Sequence, residues 1–145
     1  MKPIFHAFAG AAAILTIASF WTSTLVSEVF MDQTAVAAVK QWVVYGLLLL
    51  VPFMAATGGS GFALSKARSG SLLASKKRRM AVIGANGLLL MVPAAIFLNS
   101  KAAAGEFDAI FYAVQIIELV VGAIQLTLMS MNFRDGLRLA GKLAA

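Results

Sequence analysis

Four long runs without charge divide the chain, and they restrict its fold more than any other feature. Residues 4–27, 41–65 and 80–100 contain no Lys, Arg, Asp or Glu, and residues 109–133 contain only Glu118. A helix of about 20 residues crosses the hydrocarbon core of a bilayer, so each run is long enough to span it. Transmembrane β-strands are shorter and alternate in polarity, which these runs do not. The sequence therefore predicts an all-α integral membrane protein, a single-domain bundle of four transmembrane helices.

The overall composition excludes most classes of soluble protein. Apolar residues make up 61% of the chain and charged residues 12%, and there is no cysteine. Soluble domains are about 45 to 50% apolar and about 25% charged, so this chain could not cover a folded surface with polar groups. The absence of cysteine excludes disulfides and thiolate metal sites. We therefore expect a lipid bilayer around the protein and no independent catalysis of the soluble type.

The positions of the positive charges predict the orientation in the membrane. Ten of the twelve Lys and Arg residues precede the first run, separate the second from the third, or follow the fourth; only Lys40 and Lys101 occupy the other two connections. Short cytoplasmic loops are enriched in Lys and Arg. We therefore predict that both termini and a basic loop at residues 66–79 are cytoplasmic. The net charge of +6 is then a topology signal, and no nucleic-acid partner is expected.

Polar residues on the fourth run share one face of the predicted helix. Gln115, Glu118 and Gln125 follow helical spacings, and an ionisable residue within a span usually faces the bundle interior. One interpretation makes Glu118 the proton-titrating group of a small transporter or channel subunit. The other makes it a neutral acid that, with the two glutamines and Asn86, holds helices together. Because no Lys or Arg falls within a predicted span, we expect Glu118 to be neutral.

His6 is the only histidine, and it lies at the predicted cytoplasmic mouth of the first span. One histidine cannot form an ordinary zinc site, but haem iron needs only one or two protein ligands. The antiparallel topology is expected to place His6 at about the depth of Met129. The expected second ligand is therefore Met129, or His6 of a second copy in a homodimer. Lys and Arg of the basic loop would contact the haem propionates.

Several sequence strings resemble known proteins. TGGSGFALS, KKRRM, GEFDAIFYAVQIIELVVGA and MNFRDGLRLAGK are similar to segments of small four-span inner-membrane proteins of proteobacteria, from about Gly46 onward. No activity is attached to that family, so the resemblance implies topology and compartment alone. The opening FHAFAG is loosely similar to the first helix of membrane b-type cytochromes, where a histidine begins or lies within a span. That similarity implies haem b as the cofactor.

Three functions are compatible with these patterns. The sharpest is a haem-b-binding membrane protein in electron transfer, because His6 offers a chemistry that the rest of the chain lacks. The second is a proton-coupled small transporter or channel subunit that uses Glu118. The third is a non-catalytic structural or assembly subunit, in a homo-oligomer or a larger membrane complex.

Overall fold

The computed structural model describes residues 3–66 and 70–141, and almost all of them are helical. The helices are α1 (Pro3–Phe30), α2 (Gln33–Ser65), α3 (Ser71–Asn86), α4 (Val92–Ala103) and α5 (Ala109–Leu139). A π-helical segment, Gly87–Met91, joins α3 to α4, so these elements form one continuous third rod. The described residues thus form four helical rods, each long and apolar enough to cross a membrane. The predicted four-helix bundle is confirmed.

The helices extend beyond the apolar runs. α2 begins at Gln33 rather than Gln41, and α3 begins at Ser71, inside the range 66–79 that was predicted to be a loop. Most of the basic residues expected in that loop therefore lie on helical turns, and residues 67–69 lie outside the described part of the chain. At 1.5 Å per residue, rods of 28 to 33 residues are about 42 to 50 Å long. Their ends therefore project beyond a hydrocarbon core of about 30 Å.

The four rods pack as a ring of antiparallel neighbours. α1 packs against α2 and α5, and the third rod packs against the same two helices. Across the ring, α1 and the third rod do not approach closely, and neither do α2 and α5. We call the end that carries Pro3, Ser65, Ser71 and Leu139 the basic end. The end that carries the short connections is called the loop end, and which of the two faces the cytoplasm stays a prediction.

The outer surface of the bundle is apolar and much of its interior is polar. Leu48, Leu89 and Trp42 are more than two-thirds exposed, whereas Gln115 and Gln125 are buried. A bundle in water would reverse this distribution, because apolar surface is buried away from water. The arrangement is the one that lipid requires, with polar side chains facing other helices. It agrees with a multi-pass membrane protein.

Two apolar clusters hold the rods together. The central one consists of Ala13, Ile17, Leu50, Ile83 and Met129. The one near the loop end consists of Val36, Leu98, Ala102 and Phe111. All four rods contribute to the central cluster, whereas α1 has no member in the cluster near the loop end.

The connection between α4 and α5 is fixed by a helix cap and an ion pair. Asp108 Oδ1 accepts a hydrogen bond of 2.9 Å from the N–H of Phe111, and Asp108 Oδ2 lies 2.9 Å from Lys101 Nζ. The hydrogen bond from Lys101, together with the cap, holds the pKa of Asp108 below its ordinary value. α5 therefore starts at a defined residue, which sets the depth of the polar face that follows.

Gly46 controls the approach of α1 to α2. A methyl group at this position would overlap the Phe20 ring of α1. Overpacking of this kind typically costs about 1 to 3 kcal/mol, so Gly46→Ala is expected to lower the free energy of unfolding in detergent by that amount, as measured by circular dichroism. Gly58→Ala is the matched control, because it lies on the same helix and no atom of the described residues lies within 4 Å of an added Cβ. Equal losses in the two variants would contradict this role.

Candidate functional site

A cavity of about 730 Å³ lies between the rods. It reaches from His6 and Lys76 at the basic end to Trp21 and Glu118 toward the loop end, and its lining is mostly apolar. The open diagonal between α1 and the third rod provides this space. Sites for cofactors and other small molecules usually measure about 300 to 1,000 Å³. The cavity is therefore large enough for a molecule the size of a cofactor.

His6 is held in one orientation at the basic end of the cavity. Its Nδ1 lies 2.8 Å from Ser60 Oγ, and the Ser60 hydroxyl donates to the Ala56 carbonyl oxygen. Since that hydroxyl has a single proton, its oxygen accepts the N–H of Nδ1. This assignment leaves the Nε2 lone pair available for a ligand. Metal-binding histidines are commonly oriented by a hydrogen bond of this kind to the other ring nitrogen.

Met80 of α3 lies beside His6. The point at which a Cβ would stand on Gly61 is 3.0 Å from His6 Cε1, 2.7 Å from Met80 Cε and 3.3 Å from Met80 Sδ. The imidazole and the thioether therefore share the space that Gly61 leaves open on α2. All three residues line the cavity.

Met129, the predicted second ligand, also lines the cavity but lies deeper in the bundle. It packs with Ala13 and Ile17 in the central cluster. Ala13 is seven residues along α1 from His6, which corresponds to about 10 Å of helix. Met129 therefore lies about two helical turns deeper than His6, whereas Met80 shares with the imidazole the space beside Gly61. The geometry therefore favours Met80 over Met129 as the neighbour of His6.

Lys76 presents a buried positive charge to the same end of the cavity. The residue is only 9% exposed, and its Nζ lies 2.7 Å from the place of a Cβ on Gly136. Within residues 3–66 and 70–141, no group accepts a hydrogen bond from this ammonium, although the Asp135 carboxylate attracts it. Burying an ammonium is costly unless it is paired. A negatively charged group on a molecule in the cavity would supply the missing partner.

The surroundings of Lys76 contain further unsatisfied polar atoms. Arg79 forms an ion pair with the buried carboxylate of Asp135, and Arg138 Nη1 lies 4.0 Å from the same group. Asn132 Nδ2 donates to the Lys76 carbonyl oxygen at 3.3 Å. Among the described residues, Arg79 Nε and Asn132 Oδ1 are buried without a partner. With the Lys76 ammonium, two donors and one acceptor lack a hydrogen-bond partner among the described residues, which suits an acidic group.

At the opposite end of the cavity, Glu118 forms an ion pair with a buried lysine. Lys40 of α2 is 1% exposed, and its Nζ donates to Glu118 Oε2 at 3.1 Å and to Gln115 Oε1. Gln115 Nε2 donates to the same Glu118 oxygen at 3.0 Å. These bonds cross the ring from α2 to α5. The expectation that no cation reaches Glu118 was wrong. The prediction of a neutral Glu118 depended on that expectation and is no longer supported by it.

The second span predicted from the sequence does not include Lys40, because the first charged residue sets the limit of that span. The apolar run begins directly after Lys40, whereas α2 already begins at Gln33. A signal was present, since Lys40 lies four residues after Val36 and three before Val43, both of which are buried. That spacing places the lysine on the inward face of α2.

Glu28 of α1 completes a group of four polar residues at this level. Its carboxylate interacts electrostatically with Lys40 and Glu118, and its Oε1 is buried without a partner in the described residues. We call Glu28, Lys40, Gln115 and Glu118 the loop-end cluster.

Asn86 and Gln125 form a separate bridge between the third rod and α5. Asn86 Nδ2 donates to Gln125 Oε1 at 2.9 Å, and Gln125 Nε2 donates to the Ile83 carbonyl oxygen at 3.0 Å. Interhelical amide bonds of this kind are common in membrane bundles. The bridge supports the packing interpretation for these two residues, and neither belongs to the loop-end cluster.

Among the described residues, no three His, Cys, Asp or Glu side chains gather as they would around a bare metal ion. The chain matches no protein-family model, no curated protein and no solved structure. Its function is therefore inferred from the side chains that line the cavity.

Proposed function

We propose that the protein binds haem b at the basic end of its cavity, with His6 as an axial ligand, and serves in electron transfer within the membrane. The observation that carries this proposal is the convergence of three groups on one apolar cavity. They are the oriented imidazole of His6, the thioether of Met80 and the ammonium of Lys76, from which no described residue accepts a hydrogen bond. The first two suit the iron of a haem molecule, and the third suits its propionates.

The imidazole and the thioether suit the iron. Ser60 fixes the ring of His6 and leaves its Nε2 lone pair free, which reduces the ordering that ligation would require. Met80 supplies a soft sulfur beside it, and the combination of histidine and methionine is a known axial pair that raises the reduction potential. A bound haem would supply a centre that gains and loses one electron. The protein would fix its position and exclude water.

The charged and apolar groups suit the periphery of haem. Lys76 can form a charge-assisted hydrogen bond to a propionate carboxylate, which would relieve the cost of its burial. The mostly apolar walls of the cavity suit a hydrophobic macrocycle. An acidic, apolar molecule of cofactor size is thus the class of ligand that this end of the cavity favours.

The optical spectrum of the protein tests this proposal. After expression with an ample haem supply and purification in mild detergent, the wild type is expected to show a Soret band of b type. His6→Ala is expected to lose that band while keeping its helical circular dichroism. Lys76→Met is expected to retain less haem, because a propionate would lose its cation.

Two methionine variants separate the geometry of the site from a general loss of packing. Met80→Leu is expected to shift the absorption bands and lower the reduction potential, whereas Met129→Leu is expected to leave both unchanged. A wild-type protein without a Soret band, or a His6→Ala variant with an unchanged spectrum, would refute haem binding through His6. A shift in Met129→Leu alone would refute the assignment of Met80.

A further inference from the structure

The loop-end cluster contains more carboxylates than cations. Lys40 is in hydrogen-bond contact with Glu118, so one ammonium balances one carboxylate. Glu28 is a second carboxyl group within electrostatic reach of both, and it forms no ion pair with a described residue. If all three groups were ionised, the cluster would carry one uncompensated negative charge.

The location of the cluster makes such a charge costly. Glu118 lies nine residues into α5, about 13 Å from the start of the helix, and its side chain is 10% exposed. Glu28, which would carry the unpaired charge, is half-buried, and one of its carboxylate oxygens is buried without a partner among the described residues, so water compensates its ionised form only in part. Gln115 bonds to Lys40 and to Glu118, and within the described part of the chain it makes no hydrogen bond to Glu28. A proton on Glu28 would make the cluster neutral.

We propose that the loop-end cluster is a proton-binding site in which Glu28 carries one exchangeable proton. On uptake, a proton from water bonds to a carboxylate oxygen of Glu28, and the charge of the cluster changes from minus one to zero. On release, the same bond breaks and the proton returns to water. Lys40 and Glu118 stay paired throughout, and no electron is transferred.

The charged groups that act on Glu28 come from two helices. α2 contributes Lys40, and α5 contributes Glu118. The third rod supplies apolar residues to the neighbouring core, Leu98 and Ala102. Its Lys101 pairs with Glu106 and Asp108 in the connection to α5, so it is already neutralised there.

One residue of the loop-end cluster also lines the cavity. Glu118 lines the cavity, whereas Glu28 lies two residues before the end of α1 at the loop end. The cluster therefore lies between the surface of that end and the interior space. This proposal does not depend on haem, because it uses none of the residues at the basic end.

Infrared spectroscopy of the purified protein in H₂O and D₂O tests the proposal. At neutral pH, the wild type is expected to show the carbonyl band of a protonated, D₂O-sensitive carboxyl group. Glu28→Gln is expected to remove this band, and Glu106→Gln, which changes an exposed glutamate near the same end, is expected to keep it. Raising the pH is expected to remove the wild-type band as Glu28 ionises.

A second variant examines the charge balance of the site. Lys40→Met removes the only cation of the cluster, so a second protonated carboxyl band is expected to appear as the pH is lowered below neutral and Glu118 takes up a proton. The proposal is overturned if the wild type lacks the band at neutral pH, or if Glu28→Gln retains it. Loss of the band in Glu118→Gln but not in Glu28→Gln would place the proton on Glu118 and would also overturn it.

Discussion

Replacing Lys40 by methionine is expected to lower the free energy of unfolding at neutral pH by about 3 to 5 kcal/mol. That is the usual cost of removing one partner from a buried ion pair, because the other charge remains buried. In this protein Glu118 would lose its cation, and Gln115 Oε1 would lose its donor. Unfolding in mixed detergent micelles, followed by circular dichroism, measures the effect. The loss is expected to shrink at acidic pH, where a proton neutralises Glu118.

Two further variants identify the cause of that loss. Lys40→Met combined with Glu118→Leu is expected to recover much of the stability, since apolar replacement of a whole buried pair is often neutral or stabilising. Lys101→Met is the matched control, because its partners Glu106 and Asp108 are exposed to water. Its effect is expected to be much smaller. Similar losses for Lys40→Met and Lys101→Met would show that burial of the first pair is unimportant.

Replacing Asp135 by asparagine is expected to lower the free energy of unfolding by about 3 kcal/mol. The substitution keeps the shape of the side chain but removes a carboxylate that is 3% exposed and paired with Arg79. Arg79 and the buried Lys76 would then face each other without a counter-charge. The same detergent unfolding experiment measures the loss.

Glu106→Gln provides the comparison for Asp135→Asn. It makes the same change from carboxylate to amide, but the Glu106 side chain is 59% exposed. Its effect on unfolding is expected to be small, since exposed ion pairs contribute little. If the two variants lose equal stability, the Asp135 carboxylate has no special role in holding α3 to α5.

The sequence was sufficient to predict the rods and the inward face of α5. Charge-free runs of more than 20 residues have no stable alternative to helices in lipid, because each backbone polar group must be satisfied internally. The helical spacing of Gln115, Glu118 and Gln125 also predicted that these residues share a face, and all three are buried. Both inferences depend on local periodicity, which the sequence contains directly.

The partners of those residues could not be predicted in the same way. Whether His6 lies beside Met80 or Met129 depends on how far each helix is displaced along the membrane normal. That displacement is set by packing at positions such as Gly46 and Gly61, and not by the period of a single helix. The predicted match in depth between His6 and Met129 assumed ends that coincide with the apolar runs, whereas the helices continue past them.

The π-helical segment also determines which face of the third rod points into the cavity. Ile83, Gly87, Met91 and Ala95 line the cavity at intervals of four residues. In a regular α-helix each such interval overshoots a full turn by about 40°, so three of them would rotate the stripe by about 120°. The N–H of Val92 instead bonds to the Gly87 carbonyl oxygen five residues back, and this wider turn absorbs the drift. The same row of residues therefore faces the cavity along the whole rod. The π-helical turn at Gly87–Met91 thereby sets the direction in which Lys76 points relative to Ala95.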